Sequence, residues 1–214
     1  DNTVPGFIFK IPRINDKERD AAGGLLLILC NYPHRLHTGD NAFEYMSHFE
    51  NQKKMITCLS LDIRQNLTVR LHSASSRIGW GEMERLNSFD SKIKICQGGI
   101  PIRAALKSSR LVVHGYNSTG MLETLSCNTP TLVWWGLGFD DLTDEAKPYY
   151  QLLVDVGIIH FSEESVANKI NIIWNNIDDW WNDGQLQKVR REFCMQYARS
   201  SKDPIGEIKG FLTL

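Results

Sequence analysis

One stretch of the chain, residues 109–135 with the sequence SRLVVHGYNSTGMLETLSCNTPTLVWW, constrains the fold more than any other. Its apolar run 110–114 is rich in Val and suits a strand that is covered on both faces. A polar turn follows, in which Asn117 is a strong candidate for the N-cap of a short helix, and 131–135 starts a second buried strand. A helix that begins directly after a parallel strand points unpaired N–H groups and its positive dipole end at the carboxyl edge of the sheet.

The turn between this strand and this helix predicts an anion site, because helix N-termini bind phosphate readily. Ser118 and Thr119 add two hydroxyl donors at the mouth of the turn, and Glu123 lies one helical turn further along. The same Asn-Ser-Thr run also caps helices that bind no ligand, so the spacing leaves both interpretations open. We prefer the interpretation in which the turn holds the phosphate of a nucleotide-activated donor.

Strand patterns alternate with helix patterns six times along the chain. Strands are predicted at 25–30, 66–72, 92–96, 110–114, 131–135 and 157–161. Helices are predicted at 41–63, 80–86, 102–106, after Asn117, and at 142–156, 165–175 and 185–199, the sixth with a capping signal at 162–165. This alternation argues for an α/β fold with a doubly wound parallel sheet of six strands.

Ligands of doubly wound sheets bind outside the carboxyl ends of the strands. Arg70 and His72 alternate on the second predicted strand, so their side chains are expected to point to the same face at that edge. The planar fork of Arg matches phosphate or carboxylate, although Arg70 can equally pair with a structural carboxylate. The loop 34–37 after the first strand carries His34 and either reaches a sugar, an acceptor or a neighbouring domain, or is a solvated loop.

Two other groups of residues have a structural interpretation that we prefer. Glu82 and Glu84 are expected on an exposed helix face, although one of them can accept a hydrogen bond from a ribose or a base. Four tryptophans stand in two pairs and invite a sugar-stacking interpretation: Trp134, Trp135, Trp180 and Trp181. One of the first pair is expected in the core, and the second pair is expected to pack the last helix onto the sheet.

Composition and motif searches exclude several classes of protein. Lys and Arg total 24 against 25 Asp and Glu, so a nucleic-acid binder is not indicated, and no apolar run is long enough to span a bilayer. The five cysteines are scattered and form no CxxC pair, which disfavours a zinc site and fits a reducing cytoplasm. The sequence also lacks a signal peptide and four motifs that mark other classes of protein. These are the GxGxxG of classical NAD sites, the GxxxxGK[ST] of P-loops, the GxSxG of the nucleophile elbow and the DxD of metal-dependent transferases.

Six blocks of the sequence, taken in order, resemble a family of transferases of bacterial surface-carbohydrate (lipopolysaccharide O-antigen) biosynthesis. The blocks are VRLH, GW, the 109–135 stretch, EAKPYYQLLVDVGIIH, SEESVANKI and DDWWNDGQLQKVRREFCMQYA. The resemblance runs from about residue 25 to 200 and implies a Rossmann-like, mostly parallel sheet of the GT-B C-terminal-domain type. It implies a lead-in or interdomain linker at 1–24, a nucleotide-sugar-binding domain at 25–200 and a tail at 201–214. We expect a cytoplasmic protein, with the inner face of the membrane as a further candidate location.

A strand that ends in a basic residue and His, followed later by S-T-x-x-x-E, is also similar to the arrangement in capsule transferases that use CMP-sugars. This similarity implies roles for individual residues. The nucleotide-sugar would contact Arg70, His72, His114, Tyr116, Asn117, Ser118, Thr119 and Glu123. His72 would approach the cytidine phosphate or base, Ser118 and Thr119 would hold phosphate, and Glu123 would bind the ribose hydroxyls. Arg70 and His34 are the candidate catalytic residues, and no metal or other cofactor is expected.

The sequence departs from the GT-B pattern because it contains one Rossmann unit where the pattern has two. A glycan acceptor and a missing N-terminal domain or partner chain are therefore expected partners, and this domain alone would bind the donor. Two alternatives stay open at this point. The chain can be a non-catalytic Rossmann module that docks to a partner transferase, or an enzyme similar to UDP-sugar epimerases.

Overall fold

A single sheet of six parallel strands forms the centre of the protein. The computed structural model describes residues 19–29, 41–97, 99–136, 138–140 and 142–212. The strands are β1 (Gly24–Ile28), β2 (Leu67–Arg70), β3 (Lys94–Cys96), β4 (Ser109–His114), β5 (Thr131–Trp134) and β6 (Ile159–His160). They lie in the order β3-β2-β1-β4-β5-β6, and every pair of neighbours is parallel. The prediction of a doubly wound, Rossmann-like α/β fold is confirmed.

Eleven α-helices are present within the described residues. They are α1 (Asn41–Cys58), α2 (Leu61–Gln65), α3 (Ser75–Ile78), α4 (Glu82–Phe89), α5 (Ile102–Lys107), α6 (Thr119–Ser126), α7 (Lys147–Asp155), α8 (Glu163–Ile173), α9 (Ile177–Trp181), α10 (Gly184–Tyr197) and α11 (Pro204–Leu212). A short 3-10 turn at Trp174–Asn176 joins α8 to α9.

Both faces of the sheet are buried, because successive side chains of a strand point to opposite faces. Leu25 and Leu27 of β1 belong to one core cluster with residues of α1 and α8, while Leu26 packs with Leu106 of α5 on the other face. A third cluster joins Val133 of β5 to α6, α7 and α10. Strands that are covered on both sides must be continuously apolar, which explains runs such as the leucines of β1.

The strand order reverses between β1 and β4. From β1 the chain proceeds outwards to β2 and β3, then returns to β4 on the other side of β1 and proceeds to β5 and β6. β1 and β4 pair from Leu25 opposite Leu111 to Ile28 opposite His114, so both strands end level with each other. The connections that leave these two ends diverge to opposite sides, which opens a crevice at the carboxyl edge of the sheet.

Several predicted boundaries were wrong for identifiable reasons. The predicted strand 157–161 shrinks to β6, because Gly157 adopts a positive φ of 71° in the turn before it. The predicted helix 142–156 begins five residues later at Lys147, which places Pro148 in its first turn. The capping signal before α8 is confirmed, since the side chain of Ser162 accepts a hydrogen bond from the N–H of Ser165.

The division into a lead-in, a domain and a tail stays a prediction. Most of the lead-in lies outside the described residues. The segment expected as a tail contains α11. Glu207 of α11 contacts the segment that follows α10, since its carboxylate accepts hydrogen bonds from Arg199 at 2.6 Å and from Ser201 at 2.6 Å.

Candidate functional site

A cavity of about 300 Å³ opens at the crevice between the ends of β1, β2 and β4, and we call it the switch-point cavity. Six of the eight residues expected to contact a nucleotide-sugar line it: Arg70, His72, His114, Tyr116, Thr119 and Glu123. They come from two separate segments of the chain, 70–72 and 114–123, which the parallel sheet brings to one edge. Asn117 and Ser118 are not among the lining residues, and His34 lies outside the described residues.

One face of α6 forms a polar wall of the cavity. Thr119, Gly120, Glu123 and Thr124 all line it. Their spacing of one, four and five residues places them on the same side of a helix. The first turn of α6 contains no acidic residue, so no side chain of that turn offsets the positive end of the helix dipole.

A second wall of the cavity is apolar. Ile28 and Leu29 at the end of β1, Leu71 after β2, and Ile102 and Leu106 of α5 contribute to it. A cavity with one polar wall and one apolar wall suits a ligand that has an anionic part and a flat or aliphatic part.

Arg70 is the last residue of β2, which lies on the other side of β1 from β4, and it lines the cavity. Its Nη1 donates a weak hydrogen bond to the Sγ of Cys96, 3.4 Å away on the neighbouring strand, where the two residues are directly paired. Its guanidinium forms no ion pair with another described residue. The alternative in which Arg70 pairs with a structural carboxylate therefore has no support within the described part of the chain.

His114 ends β4 and forms part of the cavity floor, with only 1% of its surface exposed. Its Nε2 lies 3.0 Å from the hydroxyl of Thr124, which itself donates to the carbonyl of Met121 at 3.0 Å. Burial lowers the pKa of His114 to about 3, so the imidazole is neutral at ordinary pH. Its Nδ1 is buried and has no hydrogen-bond partner among the described residues.

The predicted N-cap was wrong by one residue: Ser118, not Asn117, holds this position before α6. Ser118 has the extended backbone of an N-cap, yet its side chain accepts no capping hydrogen bond, and its buried Oγ has no partner among the described residues. Gly120 lies beside it. A Cβ on Gly120 would be 3.3 Å from this Oγ and 3.5 Å from the Nδ1 of His114.

His72 was wrongly placed on the second strand, because β2 ends at Arg70. The exposed His72 belongs to the loop that follows, where its Nδ1 accepts a hydrogen bond from the N–H of Ala74 at 3.1 Å. The two side chains therefore do not alternate along a strand. Both nevertheless line the switch-point cavity.

The exposed face predicted for Glu82 was also wrong. Glu82 is buried and accepts a hydrogen bond from the hydroxyl of Ser75, whereas Glu84 is exposed. Both carboxylates line a second cavity of about 300 Å³ between α3, α4 and the end of β3. Neither reaches the switch-point cavity.

The tryptophan pairs take structural roles. Trp134 and Trp135 are both buried, on opposite faces of the sheet. The buried Trp181 packs against the α10 cluster, and its Nε1 donates to the backbone carbonyl of Asn128 at 3.1 Å. Trp180 is partly exposed beside Lys169.

Several contributors to the cavity had not been predicted. Gly120 and Thr124 stand inside the helix pattern that was assigned from Met121, Leu122 and Leu125, and a polar helix residue beneath a strand-end histidine has no distinctive sequence signal. The apolar wall from α5 depends on which face of that short helix meets the sheet. The i, i+4 relation of Thr119 to Glu123 and of Gly120 to Thr124 was the one available signal.

Within the described residues no three His, Cys, Asp or Glu side chains are grouped so that they can hold a metal ion. The described helices also include none that is long and apolar enough to cross a membrane.

A model of the LIC12162 family of transferases matches residues 2–212 of this chain. No curated protein matches it. Three solved structures that are similar to this chain are each 14% identical to it in sequence, and one of them is the wall teichoic acid polymerase TagF (TM-score 0.49, 89% of this chain and 41% of that one). SnogD, a glycosyltransferase from Streptomyces nogalater, is similar over 99% of this chain and 49% of its own (TM-score 0.48).

WaaG, a glycosyltransferase involved in lipopolysaccharide biosynthesis, is similar over 98% of this chain and 55% of its own length (TM-score 0.48). The chain thus spans about half the length of these three proteins.

Proposed function

Because the chain belongs to the LIC12162 family of transferases, we propose that it is the donor-binding domain of a glycosyltransferase of bacterial surface-polysaccharide synthesis. The donor is a nucleotide-activated sugar, and CMP is the first candidate for its nucleotide. The switch-point cavity carries the proposal, since it joins a helix N-terminus, an arginine and an apolar wall at the sheet edge where such ligands bind.

The phosphate lies between the first turn of α6 and Arg70. Backbone N–H groups at the start of α6 and the hydroxyl of Thr119 donate hydrogen bonds to its oxygens, and the helix dipole favours the negative charge. Arg70 approaches from the end of β2, and its planar guanidinium pairs with phosphate oxygens. The weak bond to the sulfur of Cys96 is readily exchanged for this contact.

The nucleoside extends away from the phosphate along the cavity. Its flat base packs on the apolar wall that Leu29, Ile102 and Leu106 contribute. Glu123, one turn into α6, accepts hydrogen bonds from ribose hydroxyls. Each part of a nucleotide then meets a surface of matching chemistry within one cavity.

In the transfer step an acceptor oxygen forms a bond to the anomeric carbon of the sugar, and the bond from that carbon to the phosphate oxygen breaks. Negative charge develops on the departing phosphate, and preorganised donors stabilise it without a metal. Arg70 and the N-terminus of α6 supply these donors. Activation of the acceptor and the acceptor site belong to a second domain or partner chain, as the expected two-domain pattern requires.

A nucleotide panel tests the proposal. Thermal unfolding of this chain is followed with CMP, CDP, UDP, GDP and ADP, and we expect the cytidine nucleotides to raise the midpoint most. Stabilisation by UDP alone would point to a UDP-sugar enzyme. If no nucleotide stabilised the chain, the non-catalytic module would replace the donor-binding assignment.

Calorimetric titration of variants then locates the site. Arg70→Gln removes one charge-assisted hydrogen bond and is expected to weaken binding of the best nucleotide about ten- to a hundredfold, and Thr119→Ala several-fold. Arg77→Gln is the matched control, because Arg77 is exposed on α3 and does not line the cavity. Equal affinities for Arg70→Gln and Arg77→Gln would refute the phosphate site.

A further inference from the structure

Two buried polar atoms lie next to Gly120, at the start of the helix that forms one wall of the switch-point cavity. The Nδ1 of His114 and the Oγ of Ser118 both have no hydrogen-bond partner among the described residues. Buried polar atoms are nearly always paired in folded proteins, since an unmet hydrogen bond is costly. Two such atoms at one place therefore point to a ligand group that pairs with both.

The hydrogen bonds of Thr124 determine which ring nitrogen of His114 carries the proton. A threonine hydroxyl has one hydrogen, and Thr124 donates it to the carbonyl of Met121. The hydroxyl oxygen can then only accept from the imidazole, so Nε2 is the protonated nitrogen. A neutral imidazole has one proton, which leaves Nδ1 as a bare acceptor.

This tautomer restricts what can bind above the floor. An acceptor repels the oxygens of a fully ionised phosphate and requires a donor, of which a hydroxyl is the commonest kind in a nucleotide or sugar. The hydroxyl of Ser118 can donate in turn to the oxygen of such a group. One ligand hydroxyl therefore satisfies both buried atoms.

Gly120 lies close to both atoms and carries no side chain that would come between them and a bound group. Its missing side chain would point between the two atoms, with Cβ 3.3 Å from the Oγ of Ser118, 3.5 Å from Nδ1 and 3.1 Å from Cε1 of His114. Gly120 also lines the cavity, and a side chain at this position would press against both residues.

We infer that a ribose hydroxyl of the bound nucleotide inserts over Gly120 between His114 and Ser118, donates its proton to Nδ1 and accepts from the Ser118 hydroxyl. The inference rests on the proposed function and adds a specificity contact to it. The ribose is the part of a nucleotide that carries hydroxyls next to the phosphate, and the phosphate site lies one residue away at Thr119. Thr124 is a positioning residue, which acts through the tautomer of His114.

The first test needs no variant. Affinities of this chain for the best ribonucleotide of the panel are compared with those for its 2′-deoxy and 3′-deoxy forms. One of the deoxy forms is expected to bind about ten- to a hundredfold more weakly, because it leaves both buried atoms unpaired. Nitrogen-15 NMR of the free chain is expected to show His114 neutral, protonated on Nε2 and bare on Nδ1.

Two variants separate the contact from general damage to the site. Thr124→Val removes the acceptor that fixes the tautomer, and Gly120→Ala fills the space while improving helix propensity. Both are expected to bring the ratio of deoxy to ribo dissociation constants close to one, and Thr124→Ser is expected to restore it. That ratio would not respond to a merely structural role of Thr124.

The outcomes distinguish this inference from the donor assignment. Equal binding of ribo and deoxy forms, or a proton on Nδ1, would overturn the hydroxyl contact and leave the nucleotide site in place. A ratio that stayed high in both Thr124→Val and Gly120→Ala would also overturn it. Absence of binding by every nucleotide would remove the donor assignment and this contact together.

Discussion

The buried histidine beneath the cavity predicts how stability depends on pH, and His114→Gln is the variant that isolates this effect. The side-chain amide of glutamine can donate to Thr124 where Nε2 of the imidazole does, but it does not titrate. Burial depresses the pKa of His114 from 6.5 to about 3, because the charged form has no partner that replaces its hydration.

The direction of the effect follows from proton counts. Between pH 6.5 and 3 the imidazole is protonated in the unfolded chain and neutral in the folded one, so the unfolded chain binds more protons. The free energy of unfolding from this group is complete above pH 6.5 and falls as the pH drops through that window. At about 1.4 kcal/mol per pH unit, the loss between pH 8 and pH 5 is about 2 kcal/mol.

Urea unfolding of the wild type and His114→Gln at pH 8, 6.5 and 5 measures this contribution. Both proteins share the acid sensitivity of other groups, such as His160, whose pKa is also lowered by burial. The wild type is expected to lose about 2 kcal/mol more than the variant between pH 8 and 5. Matching His72→Gln, at an exposed site, controls for the loss of an imidazole. Parallel pH profiles for wild type and His114→Gln would refute the reasoning.

Two further variants test the packing that supports the site. Phe193→Ala removes a fully buried ring that lies 5.0 Å from the ring of Tyr150. We expect the free energy of unfolding, measured in urea, to fall by about 3–5 kcal/mol, and a fall of less than about 1 kcal/mol would contradict the α7–α10 contact. Ser162→Ala removes the cap of α8 and is expected to lower the free energy of unfolding by about 1 kcal/mol. Ser88→Ala, at an exposed position within α4, serves as the control. Equal stabilities of the two variants would mean that the cap is not formed.

The architecture was predictable because its signals are local. Strands that are covered on both faces must be apolar throughout, so β1, β4 and β5 were recognisable as short runs of Leu and Val. Alternation with helices then left a doubly wound sheet as the simplest arrangement. Strand ends were less certain, since turns such as that at Gly157 depend on a backbone conformation that the residue type permits but does not require.

The sequence predicted where the candidate site lies better than it predicted the roles of the individual residues in it. The rule that ligands bind at the carboxyl edge brought Arg70 and Glu123 to one cavity from distant parts of the sequence. The role of Ser118 depends on where its hydroxyl points, and the sequence pattern of an N-cap predicts a capping bond that the structure does not have. The state of His114 depends on Thr124, ten residues away, and on complete burial, neither of which spacing reveals.

A neutral histidine beneath an anion site is physically consistent with the rest of the cavity. A protonated imidazole at this position would attract phosphate, but it would lie at the positive end of α6 without water to solvate it, which is unfavourable on both counts. In this cavity Arg70 and the helix N-terminus therefore provide positive charge, while His114 provides a neutral hydrogen-bond acceptor. Because His114 stays neutral between pH 5 and 8, it adds no pH dependence to nucleotide binding in that range. Any change in affinity there must come from the phosphate or from other groups, and a change that followed the titration of His114 itself would contradict the neutral state of its imidazole.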